Sequence, residues 1–77
     1  MNNPKQYKEI VELLNEFCIS KHLRGYQMII NAIQVLSENP DISVIDLYTK
    51  VAEMHNSTVS RTERAMRYAI ESGYDNC

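Results

Sequence analysis

Apolar residues recur at three- and four-residue spacing along most of the chain, and no stretch alternates apolar with polar positions for long enough to form a strand. The pattern predicts an all-α small helical bundle. Pro4 suits the first turn of a helix, where a missing N–H costs nothing, and Tyr7, Ile10, Val11, Leu14, Phe17 and Cys18 then mark one apolar face. After a short connection between Ser20 and Gly25, Tyr26, Ile29, Ile30, Ile33 and Leu36 form one stripe and Met28, Ala32 and Val35 a second. A helix that is apolar on two sides is expected at the centre of the bundle. The segment Ser37-Glu38-Asn39-Pro40-Asp41 ends it, because Pro40 disfavours helical geometry at Asn39.

Ser43 with Asp46 three residues on has the spacing of a capping box, and Val44, Leu47, Tyr48 and Val51 give a third helix its period. That helix is expected to stop near His55. Asn56 suits a left-handed turn position, and Ser57 or Thr58 is placed to cap the next helix. The last helix is expected from about Val59 to Ser72, with Gly73 as its stop. Val59, Thr62, Ala65, Met66, Ala69 and Ile70 cluster inward, while Ser60, Arg64, Arg67 and Glu71 point outward, flanked by Arg61 and Glu63.

Seventy-seven residues make one domain, expected to span 1–77, with one modest core and little space for an enclosed catalytic cavity. A binding module is expected ahead of an enzyme, and no catalytic constellation or cofactor motif is visible. The net charge of −2 is mildly unfavourable for an undirected polyanion binder. It hides an asymmetry: residues 25–56 carry one basic and four acidic side chains, whereas the three basic residues of 57–77 are Arg61, Arg64 and Arg67. A local basic patch is therefore expected.

Cys18 and Cys77 are too few and too far apart in sequence for a disulfide framework or a zinc site, which points to a reducing cytoplasm, with Cys18 as a small buried hydrophobe. His22 and His55 have no carboxylate or thiol at ligand spacing, so no metal is expected. No membrane span and no signal peptide is expected either.

A helix-turn-helix reader of double-stranded DNA needs a small residue in its first helix, a turn residue that tolerates positive φ, and long donors early in its second helix. Ala52, Asn56, and Arg61 with Arg64 fill those places, which puts the helix-turn-helix at about 44–72. Arginine can bond guanine O6 and N7 in pairs, Glu63 can accept from cytosine N4, and Ser57, Thr58 and Ser60 suit phosphates near the helix start. On spacing alone, an ordinary solvated helix with weak Arg–Glu pairs explains the pattern about as well.

The run Asn56-Ser57-Thr58-Val59-Ser60-Arg61-Thr62-Glu63-Arg64-Ala65-Met66-Arg67-Tyr68-Ala69-Ile70-Glu71 resembles the recognition helix of the C-terminal DNA-binding domain of the stage zero sporulation master regulators. His22-Leu23-Arg24-Gly25-Tyr26 looks like the start of that family's second helix, and Leu47-Tyr48 with Val51-Ala52 like the start of its helix-turn-helix. The resemblance covers about residues 10–71, with a short deletion near Pro40. It implies base contacts at Arg61, Glu63 and Arg64, backbone contacts at Ser60 and Arg67, and a promoter box as the target. Val59 stands where proline or alanine is usual, and Thr62 where an inward aliphatic is usual, which puts a hydroxyl against the core. The expectation is a sequence-specific DNA-binding protein without the family's receiver domain, pairing as a homodimer on neighbouring half-sites. Its rival is a protein-interaction module of the same fold with weak or lost DNA binding.

Overall fold

The turn chemistry of the sequence divides the chain into four helices. The computed structural model describes residues 3–77, with α1 at Pro4–Glu16, α2 at Arg24–Glu38, α3 at Val44–Met54 and α4 at Val59–Asn76. Asn3 caps α1, its side-chain oxygen accepting from the N–H groups of Lys5 and Gln6, with Pro4 in the first turn. Ser43 Oγ accepts from the Asp46 N–H at 3.1 Å and starts α3, as the capping spacing predicts.

Helix α2 is central. Both of its stripes are buried, through Tyr26, Met28, Ile29, Ile30, Ala32 and Val35, and it packs on each of the other three helices. Helix α3 packs on α2 and α4, whereas α1 packs among the described helices on α2 alone. The core joins Ile10 and Leu14 of α1 to Val51 of α3 and to Met66 and Ala69 of α4. Tyr7, Phe17 and Leu36, expected on apolar faces, are exposed at the edges of theirs.

Two helices end in the same left-handed cap. In α3, Asn56 takes φ 50°, the Ser57 N–H donates to Ala52 O at 2.9 Å, and the Asn56 N–H donates to Glu53 O at 3.3 Å, which is the Schellman pattern. In α1, Cys18 takes φ 59°, with Ile19 N–H to Leu14 O at 3.1 Å and Cys18 N–H to Asn15 O at 3.0 Å. Ile19 and Leu14 are both buried there, which supplies the apolar contact this cap favours. Because a β-branched side chain clashes at positive φ, Asn56→Val is expected to cost about 1–2 kcal/mol while Asn56→Gly is tolerated. Denaturation midpoints of the two variants check this.

Three expectations are corrected. Helix α4 does not stop at Ser72; it continues to Asn76 through a buried Gly73. A Cβ there would lie 2.7 Å from Phe17 O and 2.9 Å from Ile19 Cγ1, so the glycine is used for close approach to the α1–α2 turn and not as a cap. Ile70, expected inward, is 54% exposed, because the buried line of α4 runs through Thr62, Met66, Ala69 and Gly73. Finally, Cys18 and Cys77 form a disulfide, with Cα atoms 5.7 Å apart across 59 residues of sequence. Cys18 is half-buried in the turn after α1, not a core hydrophobe. Distance along the chain conceals the pairing, which exists because α4 runs back to the end of α1.

Thr62 is fully buried, and its hydroxyl has no hydrogen-bond partner. A buried hydroxyl without a partner is destabilising, so Thr62→Val, which keeps the shape, is expected to stabilise the domain by about 1 kcal/mol. A rise in the urea midpoint at constant slope is the measurement.

Candidate nucleic-acid interface

Residues 55–58 link α3 to α4 and aim the last helix. His55 closes α3, and its Nε2 lies 2.7 Å from Asn31 Oδ1, while Asn31 Nδ2 donates to Gln34 Oε1 at 3.0 Å. This polar chain ties the turn to the central helix. Thr58 then caps α4, its Oγ1 accepting from the Arg61 N–H at 3.1 Å. The hydroxyl proton of Thr58 remains available as a donor, beside the free N–H groups of the first turn.

The orientation of α4 depends on how closely α2 approaches it. Gly25 meets the backbone of Ala65, where a Cβ would lie 2.1 Å from the Ala65 carbonyl oxygen. With Thr62, Met66, Ala69 and Gly73 facing inward, Ser60, Arg61, Arg64 and Arg67 are exposed, and Glu63 is half-buried. Of the residues expected from the sequence, Ser60, Arg61, Glu63, Arg64 and Arg67 thus share the outward side of the first three turns of α4, with Thr58 at its cap.

They are not equivalent. Arg67 Nε donates to Glu63 Oε2 at 3.0 Å, an exposed i,i+4 pair worth about 0.3–0.5 kcal/mol. Such a pair is weak enough to open for a stronger acceptor. Arg61 and Arg64 have no side-chain partner among the described residues. Ser57 is set apart: its hydroxyl is buried without a partner and its N–H is committed to Ala52 O, so it serves the turn rather than the surface.

One residue escapes the sequence reading. Tyr68 is 61% exposed, one turn beyond Arg64 and two beyond Arg61 on the same side of the helix. An aromatic among polar outward positions is the available signal, and a phenol there offers an O–H donor.

This is an all-α bundle whose last helix turns a basic face outward, an arrangement that fits a helix-turn-helix. A family model described as Sporulation initiation factor Spo0A C terminal matches residues 10–77, and the chain belongs to that family. The family is one of DNA-binding effector domains in transcription regulation. No solved structure matches the chain significantly. No helix of the described residues is long and apolar enough to cross a membrane.

Proposed function

We propose that the chain is a sequence-specific reader of a duplex promoter box, acting in the cytoplasm through the outward face of α4. The observation that carries this reading is that Arg61 and Arg64 stand exposed and without side-chain partners among the described residues on a helix capped at its start by Thr58. Arg61 and Arg64 reach guanine edges, and Glu63 accepts from a cytosine amino group. Ser60, Thr58, Arg67 and the phenol of Tyr68 hold phosphates. A single recognition helix makes few phosphate contacts, so useful affinity comes from two copies on neighbouring half-sites.

Fluorescence anisotropy with sporulation-type promoter boxes against scrambled duplexes tests the reading, which fails if both bind alike. Arg67→Ala is expected to weaken binding almost uniformly across sequences and to make the slope of log K against log salt shallower by about one unit. An unchanged slope removes Arg67 from the contact set.

A second reading is favoured by a different surface. An apolar groove of about 620 Å³ lies between α1, α2 and α4, lined by Leu13, Phe17, Ile29, Ile33, Ile70 and Tyr74 among others. Exposed apolar area of this kind suits a protein-interaction module. Loss of all duplex binding in a folded chain, with the helices intact by circular dichroism, would select that reading.

A further inference from the structure

The Cys18–Cys77 bond lies beside the close approach of Gly73 to the backbone at Phe17 and Ile19 and adds a covalent tie where the last turn of α4 meets the α1–α2 turn. Cys77 is exposed and follows the last turn of α4, while Cys18 sits in the turn that closes α1. Among the described helices, the backbone of α1 comes close to that of α2 alone, and the disulfide is the direct covalent link between the end of α1 and the end of α4. A second observation is independent of the bond. Cys18 occupies the left-handed position of the α1 cap, with φ 59°, where glycine or asparagine is the low-strain choice. Packing does not account for a cysteine there, because Cys18 is only half-buried. Sulfur chemistry does.

We propose that Cys18 and Cys77 form a reversible redox clamp that fastens the end of α4 to the α1–α2 turn when oxidised and, when reduced, leaves it held there by the packing at Gly73 without the covalent tie. Opening is thiol–disulfide exchange. The thiolate of a small-molecule thiol attacks the exposed Cys77 sulfur, the Cys18–Cys77 bond breaks, and Cys18 leaves as a thiolate that takes up a proton. A second equivalent of the same thiol attacks the mixed disulfide and releases Cys77, so two thiols are oxidised to one small disulfide as the protein disulfide is reduced to two thiols. Closing is the reverse, with a small-molecule disulfide as oxidant. The outward face of Arg61, Arg64 and Arg67 is held by the Thr58 cap and by the Gly25–Ala65 approach, both remote from the clamp. The clamp therefore governs how firmly α1 and the last turn of α4 are docked, not the geometry of the basic face, and it stands whether or not that face reads DNA.

The full chain, equilibrated in reduced and oxidised glutathione at a series of ratios, is acid-quenched, alkylated and weighed. The expected result is a passage from two alkyl groups to none as the buffer becomes oxidising. Two groups at every ratio, or none even in excess dithiothreitol on the folded protein, would overturn the proposal. Thermal unfolding supplies the second readout. Closing a loop of this length lowers the entropy of the unfolded chain, so reduction of the wild type is expected to lower Tm by on the order of 10 °C or more. Cys18→Gly, which also suits the left-handed position, should unfold no lower than the reduced wild type and show no response to reductant. A response to reductant in Cys18→Gly equal to that of the wild type sinks the idea.

Discussion

Gly25→Ala is expected to destabilise the domain by about 3 kcal/mol, lowering Tm by on the order of 15 °C. Two effects of opposite sign meet at this position. Alanine is the better helix former, by up to about 1 kcal/mol in a helix interior, and Gly25 lies in the first turn of α2 without a positive φ. Propensity alone therefore predicts a gain. Against it, the new methyl group would sit 2.1 Å from the Ala65 carbonyl oxygen, which is backbone and cannot rotate aside. Helices α2 and α4 would have to move apart, opening the packing around Tyr26, Met66 and Ala69 that they share. Overpacking wins because the obstacle is main chain. Chemical denaturation of the purified variant checks the sign: a midpoint at or above that of the wild type would mean that the helices do not cross this closely in solution.

Arg64→Ala is expected to cost about 1–3 kcal/mol on the preferred duplex, roughly a 5- to 150-fold loss of affinity. Discrimination at one base pair should flatten at the same time. Arg64 is exposed and unpaired among the described residues, so truncation leaves no buried charge behind and the fold should hold. The loss is then attributable to the interface. The contrast with Arg67 is diagnostic, since a phosphate contact weakens all duplexes together. Titrations of both variants against the promoter box and a scrambled duplex separate them; equal loss on the two duplexes for Arg64→Ala contradicts base readout.

Local chemistry makes most of the helix boundaries readable from the sequence. Pro4, Ser43, Asn56 and Thr58 each act within a turn of their own position, through a fixed φ, a cap or a left-handed bend, and all four do in the structure what their chemistry predicts. The double stripe of α2 likewise foretells a central helix. Gly73 misleads because its local meaning, a helix stop, is overridden by a distant neighbour, the backbone at Phe17 and Ile19. The disulfide is hidden for the same kind of reason, since the partners meet only after three further helices have folded between them. At the basic face, helical periodicity places Ser60, Arg61, Arg64 and Arg67 outward. It does not reveal that Ser57 turns its hydroxyl inward, because that depends on the Schellman turn and not on the helix. Tyr68 escapes because an aromatic ring, by its type alone, can belong to either face of a helix.

The buried line of α4, at three- and four-residue spacing, is interleaved with its exposed face: Thr62 follows Arg61, Met66 precedes Arg67, and Ala69 follows Tyr68. Core and contact surface are thus two sides of one helix with no spacer between them. On the proposed DNA-reading role, a genetic screen for loss of regulation would therefore return clustered hits across positions 60–70 without telling the two kinds apart. Alleles at Met66 and Ala69 would act by lowering the amount of folded protein and should be rescued by growth at lower temperature or by a second-site stabiliser such as Thr62→Val. Alleles at Arg61 and Arg64 should accumulate normally and resist both kinds of rescue.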